Sequence, residues 1–435
     1  MNRKSLMFVV IYIVFLSAGT SIATTFEPVT KTMTLNEILA VAREFNGDLQ
    51  ALREERKIGQ ASRARAGLFI NPTLELDGAT GKLSGAPAEN RIGLGLSQEF
   101  LTGGKRKRRM AVAEAELIRF EHRMTEVERQ IDLEIKTVVS EIRLAEGRSA
   151  LAGKSNDLNR RLLNIAQARL LAGEIAELDV NLVKVENAQS EGMMIDAQRE
   201  LIPAQQRLLA LMGRSSSDIL KISAPAAAGK AMPGLSDLKA LALKKRPDLQ
   251  ALVVEKIRND AAVALARADQ YPNIQAGISF IREDGVTALG TMEERSTDYL
   301  VGFKLSVPFP VFDRNRAGIE EALARSSSTA LRERHGRQVV EREVEGAYAR
   351  YMTAEKVRNI YAKTVIPQLT ENLKLVEEAY RLGEIGILTV LVEHKKFVEV
   401  NEAYLLAIFN CDVALAKLEA SAGMDFNDQV SAKEK

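Results

Sequence analysis

The sequence predicts a mainly α-helical chain with a transmembrane β-barrel portion, built as two repeats of helix, β-hairpin, long helix and helix. Three observations predict it. A pattern recurs about 200 residues later in the same order. Each copy holds a stretch that reads as one unusually long helix. Each also holds two short segments of apolar–polar alternation.

Bulk composition fits helices and excludes a global nucleic-acid binder. The 435 residues carry 60 Lys and Arg against 58 Asp and Glu, a net charge of +2. Aromatics are 5% and Trp is absent, while charged residues reach 27%, the mixture of long polar helices. The one cysteine, Cys411, allows no intrachain disulfide, and the three histidines have no ligand spacing among themselves.

The first element reads as an export leader over 1–23. Arg3 and Lys4 precede an apolar run from Leu6 to Leu16, and small residues follow up to a cleavage position near Ala23. The run is shorter than the ~20 apolar residues of a spanning helix. Residues 24–33 form an N-terminal arm, and the first repeat covers 34–214. It opens with "LNEILAVAREFNGDLQAL" from Leu35, matched by "LSDLKALALKKRPDLQAL" from Leu235, an offset of 200. Two strands are expected at 72–82 and 90–100. Leu74 and Leu76 oppose Glu75 and Asp77 in one; Ile92, Leu94, Leu96 and Phe100 oppose Arg91, Gly93, Gly95, Ser97 and Glu99 in the other.

"GGKRKRR" (103–109) follows, and then a helix expected from about 105 to 172. Its seam runs through Val127, Ile131, Ile135, Val138, Ile142 and Ala145 in steps of three and four. At 1.5 Å per residue it would be on the order of 100 Å long. It stops at Gly173, as a left-handed C-terminal cap requires, and another helix returns.

Residues 215–234, small, polar and holding Pro and Gly, read as a linker, and the second repeat covers 235–422. Its strands are expected at 272–283 and 297–309; Tyr299, Val301, Phe303 and Leu305 share a face opposite Gly302, Lys304 and Ser306. Pro367 is expected to kink the second long helix or loosen one of its turns, and Gly383 ends it. The polar tail is 423–435. The strand segments 93–100 and 302–309 stand 209 apart, and the turns at 171–182 and 381–392 stand 210 apart. Nine or ten residues are therefore added in the second copy, and their expected place is mostly between Pro272 and Gly302.

Strands of this length cross a bilayer when tilted. Four cannot close a barrel, and an open edge in lipid leaves backbone groups unpaired at several kcal/mol each. Spanning strands thus require several chains around one barrel, and three would supply twelve strands. Two soluble hairpins packed on a helix are the other reading of the same alternation.

The repeats, with "RPDLQAL" (246–252), "QYPNIQAG" (270–277) and "KLSVPFPVFDRNRAG" (304–318), resemble the TolC-type outer-membrane efflux factors over about 34–422. "VPFPVFDRN" and "GGKRKRR" resemble the branch serving heavy-metal pumps, cobalt–zinc–cadmium or copper–silver. The resemblance implies a homotrimer: a twelve-stranded barrel in outer-membrane lipid, continued by an α-helical periplasmic tunnel. Its implied partners are an inner-membrane pump of the resistance–nodulation–division (RND) type and a periplasmic adaptor, with no cofactor and no nucleic acid. It places a gate and adaptor contact at Gly173, Glu174, Asp179, Gly383 and Glu384. This chain departs from the best-known pattern at Thr389 and Val392, where acids are expected; Glu174, Glu384 or Glu393 would supply the negative ring instead. Gly103, Gly104, Pro308 and Pro310 would form the barrel-to-tunnel hinge, with the basic run reaching lipid headgroups.

Rival functions are a duct for drugs or for type I protein secretion and, from another class, a periplasmic coiled-coil adaptor or scaffold. An enzyme is disfavoured. "LTGGKRKRR" lacks the spacing and hydroxyl of a phosphate loop, and neither G-x-S-x-G nor H-E-x-x-H occurs.

Overall fold

The computed structural model describes residues 32–83, 88–216, 220–223, 232–289 and 292–426. The expected leader, most of the N-terminal arm, much of the linker and the tail from 427 lie outside the described residues.

The first half runs β1 (Thr32–Met33), α1 (Leu35–Phe45), α2 (Gly47–Ala66), β2 (Thr73–Thr80), β3 (Asn90–Phe100), α3 (Lys105–Leu171) and α4 (Glu177–Leu211). The second runs β4 (Lys221–Ile222), α5 (Leu235–Lys245), α6 (Pro247–Ala268), β5 (Ile274–Leu289), β6 (Met292–Ser306), α7 (Arg316–Ile360), a π-helical turn (Tyr361–Val365), α8 (Ile366–Leu382) and α9 (Ile387–Ala422). The short β1 and β4 pair in parallel.

Each repeat opens on two helices, where the sequence pattern suggested one. In the first copy Asn46 leaves helical geometry at ψ 128°, and its Oδ1 accepts the N–H groups of Asp48 and Leu49, capping α2. In the second, Arg246 stands before Pro247; the proline ring disfavours helical geometry at the residue ahead of it, and Arg246 takes ψ 123°. Two unrelated local devices make the same break.

The four long strands form one antiparallel sheet in the order β2-β3-β5-β6. Its register carries the amphipathic pattern across all four strands: Leu74, Leu96, Ile278 and Phe303 align in one row, and Leu76, Leu94, Phe280 and Val301 in the next. The second hairpin corrects the expected bounds. Its strands run on to Leu289 and back from Met292, where 283 and 297 were expected, and pair throughout, from Gln275–Ser306 to Leu289–Met292. Backbone pairing needs no alternation, so the ladder continues past the point where the apolar–polar pattern fades. At ~3.4 Å per residue this hairpin reaches about 50 Å, well past a ~30 Å hydrocarbon core. At its lower end β6 stops at Ser306 rather than 309, because Pro308 and Pro310 have no N–H to donate. In the first hairpin β2 ends at Thr80, two residues short of 82, where Gly81–Leu83 turn as a 3-10 helix.

Helices α2, α3, α6 and α7 pack side by side in the order in which their attached strands pair, so sheet and helical layer are one continuous wall. Two related cores support it. One gathers Ile38, Ala42, Ile131, Ile135, Val138, Ile142, Leu208 and Met212. The other gathers Leu238, Ala242, Val340, Val344, Ala347, Tyr351, Leu418 and Ala422. These residues correspond at offsets of 200, then 209, then 210. The nine-residue step falls between Pro272 and Gly302; the last residue is added within the π turn Tyr361–Val365, whose wider winding absorbs it immediately before Pro367.

Candidate functional site

At the far end of the long helices the chain reverses twice. Gly173 and Gly383 both take left-handed backbone, φ +73° and +82°. The N–H of Gly173 donates to Leu170 O and that of Glu174 to Arg169 O, each at 2.9 Å. Gly383 donates to Tyr380 O at 3.0 Å and Glu384 to Ala379 O at 2.9 Å. Both turns are thus the same Schellman cap, which satisfies the last carbonyls of a helix only where the capping residue has no Cβ penalty.

One hydrophobic cluster binds the two turns into a single tip: Leu158, Leu162, Ala166, Val180 and Val183 from the first repeat, and Leu373, Tyr380, Ile387, Val390 and Leu391 from the second. Arg169 is the polar link. Its Nε lies 3.4 Å from Glu174 Oε2, and its guanidinium sits 4.9 Å from the centre of the Tyr380 ring. A Cβ at Gly383 would lie 3.3 Å from the same guanidinium. Burial pushes the Tyr380 phenol up, against the charge of Arg169, which pulls it down. Arg169 and Tyr380 were not singled out from sequence; the Arg four residues and the Tyr three residues ahead of their turn glycines were the available signal.

Among the residues expected at the gate, Asp179 sits on the third position of α4, where its carboxylate accepts the Ala176 N–H at 3.4 Å. Glu174 and Glu384 are exposed beside the caps. In the second copy Thr389 donates its N–H to Gly386 O at 3.2 Å, Val392 is exposed, and Glu393 lies 3.9 Å from Lys396.

The strand-to-helix junctions form the second region of interest. Gly103 and Gly104 have φ of +62° and +70°, and Asn315, the equivalent helix start, has φ +53°. The basic run is not free for headgroups along its whole length. Lys105 is buried, and its Nζ donates to Tyr271 O at 2.6 Å and Asn273 Oδ1 at 2.7 Å. Arg106 donates to Gly67 O at 2.7 Å with its guanidinium 4.0 Å over the Phe69 ring, and Arg108 donates to Ala264 O at 2.9 Å. Through these three residues the run ties the start of α3 to both flanking helix–strand connections.

The sheet supplies the decisive surface. Phe303 is 85% exposed, Leu76 75% and Leu305 72%, on a face whose two rows through Leu96 and Leu94 are apolar from edge to edge. Apolar residues so exposed and so continuous need a nonaqueous neighbour. The opposite face aligns Glu75, Gly95, Ser279 and Gly302, and then Asp77, Gly93, Ile281 and Leu300.

A two-fold wall with an apolar band and a long coiled-coil hairpin in each copy is the layout of an outer-membrane channel subunit. The family model described as outer membrane efflux protein matches residues 38–214 and 238–424. The chain belongs to the outer membrane efflux protein family. The cobalt-zinc-cadmium resistance protein CzcC of Cupriavidus metallidurans is 23% identical over 375 residues, 86% of either chain. The nickel-cobalt-cadmium resistance protein NccC of Alcaligenes xylosoxydans xylosoxydans is 26% identical over 275 residues, 62% of this chain and 60% of its own. Among solved structures, CusC, described as undergoing transmembrane channel formation, superposes with a TM-score of 0.73 at 18% identity, covering 90% of this chain and 92% of CusC. As an outer membrane efflux protein the chain is at home in the outer membrane, and the two-soluble-hairpin and periplasmic-scaffold readings fall away.

Proposed function

We propose that three copies of this chain close a twelve-stranded barrel continued by a helical tunnel, and that the assembly is a passive exit duct for heavy-metal cations. In this reading an RND-type inner-membrane pump supplies the energy, and a periplasmic adaptor docks on the tip around Gly173, Glu174, Asp179, Gly383 and Glu384. The duct has no catalytic step of its own.

The observation that carries the cation reading is the charge on the polar face of the sheet. Among the described residues, Glu75, Asp77, Glu99, Glu283 and Asp298 share that face with two bases, Arg91 and Lys304. With the apolar face in lipid, this face lines the lumen, and three copies place an excess of carboxylates around it. Acids around a low-dielectric bore concentrate cations and repel anions. The glycines between them keep the bore wide: a Cβ at Gly93 would strike the Asp77 carboxylate. The resistance proteins matched above, named for cobalt, zinc, cadmium and nickel, support the same cargo.

A deletion strain challenged with zinc, cobalt, cadmium, nickel, copper and silver salts, together with a detergent and a dye, tests the cargo. The expected result is sensitivity to one or more of the metals. Sensitivity confined to the dye or the detergent would overturn the metal reading and favour the drug duct.

A further inference from the structure

The internal repeat supplies a template for how one copy joins the next. Inside the chain, the strand-to-helix connection of the first copy meets the helix-to-strand connection of the second. Thr102 Oγ1 donates to Pro272 O at 2.5 Å, and Lys105 reaches Tyr271 O and Asn273 Oδ1. Gly103 lies so close that a Cβ would stand 3.0 Å from the Tyr271 ring. This junction, between the strand-to-helix connection of one copy and the helix-to-strand connection of the next, is polar, tight and complete.

The matching connection of the second copy, 307–315, is tied to its own copy through Asn315 Nδ2, which donates to Ala266 O at 2.8 Å, but has no third copy in the chain to meet. It follows β6, and the helix-to-strand connection of the first copy precedes β2; these are the two edges of the sheet. Both leave the sheet at the same end, since Thr73 and Lys304 stand in one row through Ser97 and Gly277. Three strand spacings, about 14 Å, separate the two edges. β2 and β6 run in opposite directions, so β6 of one chain continues the antiparallel alternation onto β2 of another.

Both open connections are apolar where the internal junction is polar. Phe312 is 102% exposed, Phe309 88% and Val311 61%; on the other side Phe69 is 73% and Leu68 64% exposed. Phe69 is also prearranged, with Arg106 over its ring, which stays largely exposed. The equivalents of Leu68 and Phe69 in the second copy are Ala268 and Asp269, so this apolar pair belongs only to the first copy's connection.

We infer that Phe309, Val311 and Phe312 dock on Leu68 and Phe69 of a second copy of this chain, an apolar seal at the seam between protomers just below the barrel. The inference rests on the shared-barrel reading above and adds the residues that join the copies. Chains are then held to each other by hydrophobic contact at the level where each chain holds itself together by hydrogen bonds. The basic run acquires a role through Arg106, which fixes the receiving ring.

The test is cysteine cross-linking in detergent-purified and membrane-embedded protein, with Cys411 replaced by Ala. Phe69→Cys with Phe312→Cys in one chain, treated with a flexible bismaleimide, should convert the monomer band on a denaturing gel into dimer and covalent trimer. Either single-cysteine chain should stay monomeric on the same gel. Leu68→Cys with Phe309→Cys is the second pair, should the first disturb assembly. Native mass measurement of the untreated protein separates the two levels of the argument. A trimer in which neither pair links, and in which a cysteine at 312 is quenched by spin-labelled lipid, overturns the seal and assigns the cluster to the bilayer. A chain that is monomeric throughout overturns the shared barrel, and the seal with it.

Discussion

Gly173 and Gly383 turn through φ +73° and +82° without a Cβ. Replacing either by Ala forces a side chain into left-handed backbone at a cost of roughly 1–2 kcal/mol. Gly383→Ala should be the worse, because its Cβ meets the Arg169 guanidinium; thermal unfolding followed by circular dichroism in detergent checks both. The buried ion pairs are the larger lever at this scale. Lys136 Nζ lies 2.7 Å from both Glu419 Oε2 and Asp425 Oδ2, with the three side chains between 7% and 17% exposed. Lys136→Met removes the cation that two adjacent buried carboxylates share and should cost about 3–5 kcal/mol, whereas Arg325→Ala, from an exposed helical pair with Glu321, should cost ~0–1. Asp248 gives a pH signature. Burial raises its carboxyl, and the hydrogen bonds and charge of Arg246 outweigh that, so it sits below its ordinary 3.8. A carboxylate depressed on folding stabilises above its unfolded pKa and loses that contribution as the pH falls through the folded value. Asp248→Asn should therefore flatten the decline of stability below about pH 4, and an unchanged acid limb in urea titrations would count against it.

Among the elements, the π turn Tyr361–Val365 has the sharpest consequence. It accounts for the single residue by which the core correspondence slips from 209 to 210, so it is an absorbed insertion rather than a defect. Deleting Lys363 should return this stretch to a continuous α-helix and keep the pairing of both cores, with the melting temperature nearly unchanged. Deleting Lys154 from uninterrupted α3 instead rotates everything beyond it by about 100° and should unfold the tip cluster. Comparable losses in the two variants would refute the register argument. The strands predict an opposite contrast between faces. Leu94→Lys, on the apolar face, should cost about 2–4 kcal/mol if it lies at bilayer mid-depth. Ser279→Ala, on the polar face, should fold normally in lipid vesicles.

For the whole molecule, the prediction is electrostatic. Neutralising Asp179 and Glu384 at the tip, or Glu75 and Asp77 on the polar face of the sheet, should lower cation selectivity in planar-bilayer recordings. Since Asp179 also accepts the Ala176 N–H, Asp179→Asn, which keeps an acceptor, is the informative variant. Much of this architecture was legible in the chain: periods of two and of three to four, the turn glycines and the internal repeat are local signals written into residue order. The double entry helices, the full reach of β5 and β6, and the link from Arg169 to Tyr380 were not. A polar strand wet on both faces carries no alternation, and a cation over an aromatic ring joins residues more than 200 positions apart. The sequence by itself determined two copies of one unit, the two faces of each strand and the place where each long helix must end, because backbone sterics and side-chain periodicity act over a few residues. Only the tertiary structure decided that the two halves share one sheet and one tip, that Lys105, Arg106 and Arg108 of the basic run are spent on carbonyl oxygens, and that the inner junction is polar while the outer one exposes aromatic rings. Those are matters of which surfaces meet, and residue order does not encode distance across a fold.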